Sequence, residues 1–384
     1  MNRLDARLKE IMAAHQVIGL SAAIVQGKDI SWHGSYGWAD IERRIPVRSD
    51  TVFRAASISK TITATALMQL VEQGRCDLDG EVGDYLGYRM RHPLYPAHPV
   101  TLRQLMTHTS SIQDVYVDFA VASRSENPPR LDLRELLLPG GRYYTDEMWG
   151  AYPPENNGQF EYSNLGAIIL ATIIEKLSGQ RFDLYCRQHI FTPLGMTDTS
   201  FNLQDYPQMD QIAVLYEYDE ANETFRASMD NYQGIKPAGV EYSRYIPGTN
   251  GAIFGPQGGV RTHAVDLSRF MLAHLHGGTW GDARILRQDT CKSMHAVQWS
   301  GYSSDRFFCK SGLNFHITED LVPNRVLIGH AGDAYGLLSG MYFDKKAGRG
   351  VVYLMNGLIQ RKDNVFFMAE EQIARALIEE KEIK

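Results

Sequence analysis

IGLSAAIVQGKDISWHGSYGWAD, residues 18–40, holds two strand-like runs, IGLSAAIVQ and ISWHGSYGWAD, on either side of Gly27-Lys28-Asp29. Apolar and β-branched residues on both sides of a short glycine-containing turn predict a β-hairpin. The far end of the chain answers it. NRVLIGHAG (324–332), GLLSGMYFD (336–344) and GVVYLMNG (350–357) are again strand-like, the last two joined by Lys-Lys-Ala-Gly-Arg, and a helix through EEQIARALIEEKEIK (370–384) closes the chain. Between the two ends lie helical runs such as TLRQLMTHT, LGAIILATIIEKLSG and FDLYCRQHIF. This order predicts an α+β (α/β) fold with one antiparallel sheet built from both chain ends and flanked by helices, with a mostly helical lobe inserted. The expected division is 1–75 with 248–384 for the sheet-containing lobe and 76–247 for the helical lobe, the two forming one catalytic unit. GTNGAIFGPQGG (248–259), followed by the helix DLSRFMLAHLHGG, leads back into the sheet lobe; without a following Gly-Lys-Ser/Thr its glycines read as tight turns, not as a phosphate cradle.

Composition narrows the function. The 384 residues are 44% hydrophobic and 22% charged, an ordinary globular balance, and the net charge of −6 argues against a nucleic-acid or anionic-membrane surface. AIILATII (167–174) is far too short to span a bilayer and reads as a core helix. The opening MNRLDARLKEIMAAHQV sets Leu4, Leu8, Ile11 and Met12 on one helical face, with charges that interrupt any signal-peptide core. A cytoplasmic protein is expected as written, periplasmic or secreted if a signal has been removed. Cys76, Cys186, Cys291 and Cys309 show no C-x-x-C spacing, so reduced core cysteines and no metal are expected; Cys291 and Cys309 are close enough in sequence to pair.

The chemistry starts at FRAASISKTITATALMQLVEQG, residues 53–74. Ser57 and Lys60 are three apart at the head of an apolar helical run that ends at Gly74, so they share a face and the ammonium can reach the hydroxyl. No charge falls between Lys60 and Glu72, which places this lysine in a protein interior. A buried lysine needs a partner or a lowered pKa, and either condition makes it a proton carrier. Two more stretches supply what that pair would need. In GQFEYSNLG, Tyr162 and Asn164 sit two apart in an extended segment and project to one side; in IGHAGDAYG, a strand runs into His330-Ala331-Gly332, where small residues let backbone approach a ligand.

SISK, YSN and HAG in this order, with LMTHTSSI (105–112), IFTPLGMTDTSF (190–201) and GGVRTHAVDLSRF (258–270), resemble the serine β-lactamase and penicillin-binding-protein superfamily. The resemblance is to the class C-like branch, with family VIII esterases, D-aminopeptidases and D-alanyl-D-alanine carboxypeptidases. It implies the β-lactamase/transpeptidase-like fold and a serine hydrolase of small acyl, peptide or ester substrates, without cofactor. It also implies Ser57 as nucleophile, Lys60 as its proton relay and Tyr162 as general base. A free phenol titrates near ~10, so Lys60 and His330 would have to stabilise the phenolate. Asn164 would hold the substrate carbonyl, and the N–H groups of Ser57 and Asp333, beside Gly332, would form the oxyanion hole.

Two departures bear on the substrate. His-Ala-Gly stands where many β-lactamases and carboxypeptidases have Lys-Thr-Gly, and Asp333 adds a negative charge that would welcome an α-amino group. This favours a D-stereospecific aminopeptidase, amidase or carboxypeptidase-like peptidase, with esterase or β-lactamase as the alternative and an inactive binding domain as the rival class. THTSS (107–111) replaces the family's THTSG, a change expected to alter only a turn near the cleft. Residues 113–160, rich in tyrosine and including Trp149, read as an aromatic flap that sets acyl selectivity.

Overall fold

A computed structural model describes residues 3–303 and 306–380. The hairpin forms where expected, as β1 (Gly19–Gln26) and β2 (Asp29–Asp40), with a short β3 (Ile45–Pro46) beside it. Six strands from the far end complete the sheet: β4 (Trp299–Ser300), β5 (Lys310–Ser311), β6 (His316–Thr318), β7 (Leu327–Ala334), β8 (Leu337–Asp344) and β9 (Arg349–Met355). The nine lie in the order β4-β5-β6-β7-β8-β9-β1-β2-β3, every pair antiparallel. The two chain ends join where β1 pairs with β9, Leu20 opposite Met355 and Ala22 opposite Tyr353.

Both faces of the central strands are covered, which is why β1, β8 and β9 read as nearly continuous apolar runs. The period of two still sorts their side chains. Leu20, Ala22 and Ile24 of β1, with Val351, Tyr353 and Met355 of β9, pack on α1 (Arg3–Ala14) and the last helix. Its last expected residues, 381–384, lie outside the described residues, and the helix runs Met368–Glu379. Ala23, Val25, Val352 and Leu354 face the other way, into a cluster that continues through Ile168, Ile173 and Phe182. That cluster crosses from sheet to helical stretch, so the two lobes share one core.

Two helices meet in that shared core. α2 (Ser59–Glu72) is buried along nearly its whole length, as its uncharged sequence predicts. The second, α3 (Asn164–Ser178), starts from Ser163, whose Oγ accepts the Gly166 N–H, and stops at left-handed Gly179. Cys76, Cys186 and Cys291 are buried free thiols, and no disulfide joins Cys291 to Cys309 among the described residues. The pairing that spacing allowed is not made. Among the described residues, no helix is long and apolar enough to cross a membrane.

Candidate active site

Ser57 sits one step ahead of α2, in a single 3-10 turn over Ala56–Ile58. That turn is pinned from three sides. The Ala55 N–H donates to Val260 O at 2.9 Å, and Ser339 Oγ on β8 donates to Ala55 O at 3.0 Å. Ser59 Oγ donates to Ala56 O at 2.7 Å. Ala56 is held at φ +44°, a left-handed conformation costly for a residue with a Cβ and kept because its surroundings over-determine it. On the sheet side, β6 pairs only with Leu327–Gly329, so residues 330–334 of β7 present a free edge. Gly332 lies on that edge against the serine's turn: a Cβ there would come within 2.6 Å of Ala55 O and 3.0 Å of Ala56 Cβ.

Lys60 is completely buried, and its Nζ reaches Ser57 Oγ at 3.0 Å, Asn164 Oδ1 at 2.7 Å and Gln257 O at 2.8 Å. Two of these three partners can only accept. A neutral amine therefore spends both N–H groups on Asn164 and Gln257 and turns its lone pair to the Ser57 hydroxyl. Burial pushes Lys60 down to about 7, against the opposing pull of Asp114. The Tyr162 phenol also lies beside Ser57, which favours its ionised form, and Lys60 Nζ lies 4.7 Å from the Tyr162 ring centre.

Burial raises the Tyr162 phenol above its ordinary value instead of lowering it. Desolvation disfavours the charged form of both groups, so burial favours the neutral amine and the neutral phenol together. His330 gives no cationic help. It is buried with its ring centre 6.3 Å from that of Tyr162, its Nδ1 bonds Ala331 O at 2.5 Å, and burial lowers it to about 3. It stands behind the tyrosine and not in the cleft.

Sequence reasoning missed two contributors. Asp114 accepts from Asn164 N (2.7 Å), Leu165 N (3.0 Å), Ser163 Oγ (3.2 Å) and Asn164 Nδ2 (2.6 Å). It caps the start of α3 and fixes the Asn164 amide so that Oδ1 faces Lys60. The other is Gln257 O, a main-chain carbonyl of the glycine-rich 248–259 segment, which was read as turns alone.

The cleft itself encloses about 500 Å³, with Ser57, Tyr162, Asn164 and Asp333 on its wall. Asp333 hydrogen-bonds Gln360 Nε2 at 3.2 Å, and burial raises its carboxyl. The expected aromatic flap is mostly packed away: Trp149 is buried with its ring 5.0 Å from that of His92, and Tyr116 is the aromatic residue of 113–160 that lines the cleft. Beside Tyr116 a helix of the cleft rim, Val117–Ser125, contributes Arg124, and Arg54 and Arg261 complete a basic wall that the sequence did not announce. Ser111, where the family has glycine, adopts φ +62° and donates its hydroxyl to Tyr152 O at 2.6 Å, so the turn is kept by a side-chain bond.

A metal has one candidate place among the described residues, where Asp198, His263 and Asp266 gather ligand atoms within 4.8 Å of one another. His263 Nε2 faces Asp198 Oδ2 at 3.5 Å and Asp266 Oδ1 at 3.7 Å. His263 Nδ1 accepts the Asp266 N–H at 3.2 Å, and Asp266 pairs with Arg269 at 2.6 Å, so the group serves as a helix cap.

The beta-lactamase family model matches residues 4–370, and the chain belongs to that family. It is 31% identical to penicillin-binding protein 4* of Bacillus subtilis over 260 residues, 67% of this chain and 52% of that protein. Esterase EstB of Burkholderia gladioli is 29% identical over 202 residues, 52% of this chain and 51% of the esterase. The chain thus spans about half the length of these curated relatives. A D-amino acid amidase from Ochrobactrum anthropi SV3 shares the fold, with a TM-score of 0.72 at 22% identity and coverage of 98% of each chain.

Proposed function

We propose that this protein is a serine hydrolase that cleaves small esters or amides through an acyl-enzyme on Ser57, using no cofactor. The observation that carries the reading is the placement of Ser57 Oγ against a buried Lys60 whose other partners are both acceptors. Lys60 takes the Ser57 proton as Oγ bonds to the substrate carbonyl carbon. The developing oxyanion is met by N–H groups of the Ser57 turn and the β7 edge at Asp333. As the carbon–leaving-group bond breaks, the phenol of Tyr162 gives its proton to the departing atom and recovers one from Lys60. Water then reverses these transfers to release the acid.

Within that class, Asp333 on the cleft wall supports a D-stereospecific amidase, aminopeptidase or carboxypeptidase-like activity; the similarity to an esterase keeps the ester reading beside it. A panel of p-nitrophenyl esters, D- and L-aminoacyl anilides and nitrocefin separates these. Mass spectrometry of protein quenched with an activated ester is expected to find one acyl group on Ser57 and none on the Ser57→Ala variant. An adduct on Ser59 or elsewhere, or turnover by Ser57→Ala, refutes the reading.

A further inference from the structure

Four charged side chains line the cleft, and three have partners. Arg54 and Arg261 both bind Asp230, whose side chain is fully buried between them: Arg54 Nη2 at 3.0 Å, Arg261 Nη2 at 2.6 Å and Nε at 3.1 Å. Burial alone would raise the Asp230 carboxyl, but the two guanidinium groups hold it well below the usual range. Asp333 bonds Gln360. Arg124 makes no hydrogen bond or ion pair among the described residues, and it shares the cleft wall with Arg54, Arg261, Tyr116 and Tyr335.

An exposed guanidinium beside two others has only water as its counterpart, a place that an anion can take. One carboxylate between Arg54 and Arg261 leaves that pair with a net positive charge, and Arg124 adds a second. The placement fits a ligand. Arg124 and Arg261, with Phe201 and Ile253, also border a second cavity of about 210 Å³, lined further by Leu203 and Val240. A substrate reaching past Ser57 would meet the guanidinium groups at the junction of the two spaces and could continue into the second.

We propose that this cleft takes substrates bearing a carboxylate away from the scissile bond, bound by Arg124 in the field of the Arg54–Asp230–Arg261 cluster. The inference rests on the hydrolase reading of the cleft and names its substrate class. It also changes the weight given to Asp333: an ammonium near Asp333 remains compatible, but the unfilled valence in the cleft is for an anion. Planar guanidinium groups suit a carboxylate, which they can meet with two parallel hydrogen bonds.

Equilibrium binding to the Ser57→Ala protein tests this without turnover. Two pairs of amides serve as probes: glutaric acid monoanilide against valeranilide, which carries the charge on the acyl side, and N-butyryl-4-aminobenzoate against butyranilide, which carries it on the leaving side. At low salt one anionic member is expected to bind at least about tenfold tighter than its neutral analogue, and the pair that responds gives the orientation. Adding Arg124→Gln should erase the difference, and Arg124→Lys should restore part of it. Because Arg124 is an exposed helix residue without bonds, neither change threatens the fold. Equal binding within both pairs, or a preference that survives Arg124→Gln, overturns the proposal. Failure of the hydrolase reading appears separately, as wild-type protein that acquires no acyl group on Ser57.

Discussion

Lys60 and Tyr162 divide one proton between them, and their environments decide who holds it. Burial lowers the lysine to about 7 and raises the phenol, so near neutral pH the amine is the group that gains and loses a proton. The sign of the pH dependence follows. Lys60 accepts the Ser57 proton only when neutral, so kcat/KM should rise about tenfold per pH unit below 7 and level off above it. A base that worked as the Tyr162 phenolate would instead keep the rate climbing beyond pH 10. Tyr162→Phe should lose most of the turnover yet acylate slowly, with its rising limb still near 7; a limb that vanishes would return the base to Tyr162. Ser57, Lys60 and Tyr162 were legible because each motif places its side chain by local geometry alone, i to i+3 on one helical face or two apart in extended chain. The protonation states were not legible, because burial is a property of everything packed around the pair. Arg124 was hidden for the same reason: in VDFAVASRS an arginine reads as a solvated helix residue, and its isolation becomes visible only when Arg54 and Arg261 arrive beside it.

At the scale of elements, the start of α3 does two jobs through Asp114. Its carboxylate satisfies the Asn164 and Leu165 N–H groups that a helix leaves open, and it sets the Asn164 amide against Lys60. Asp114→Ala removes the cap and the clamp, and about 1–2 kcal/mol of stability should go with the cap. Asp114→Asn is the sharper test. It keeps most of the shape but deletes the negative charge that holds the Lys60 pKa up, so the rising limb of the pH profile should move to lower pH. A limb that stays at 7 while stability falls would leave Asp114 as a structural cap only. YSN was readable in the sequence, but its partner lies 50 residues earlier in a stretch that looked like a flap, and no local pattern joins them. The flap expectation failed for a related reason: Trp149 could bury its ring against His92 in the shared core, and large aromatic surface goes where it can be buried.

The whole molecule places the nucleophile at a seam. Ser57 belongs to the N-terminal part of the chain, and the β7 edge facing it comes from more than 270 residues later, held in register by β8 and β9 and through them by β1. Gly332 is the contact across that seam, and it admits no side chain. In Gly332→Ala the new Cβ would meet Ala55 O at 2.6 Å, Ala56 Cβ at 3.0 Å and Ser339 Oγ at 2.4 Å. Two of these belong to the turn that carries the nucleophile, and the third is the hydroxyl that ties the turn to β8. Relief must come from the turn and the β7 edge moving apart, because Gly332 is paired with Ser339 of β8 on its other side and cannot retreat without disturbing that register. Overpacking of this kind costs about 1–3 kcal/mol, so the protein should still fold. Turnover should fall far more than stability, by about 100-fold, since displacing the nucleophile by an ångström separates it from both Lys60 and the oxyanion donors. Urea unfolding alongside active-site titration with an activated ester distinguishes the two effects. A variant that acylates at the wild-type rate would mean that the seam tolerates movement and that the close approach of β7 to the serine's turn is a matter of packing alone.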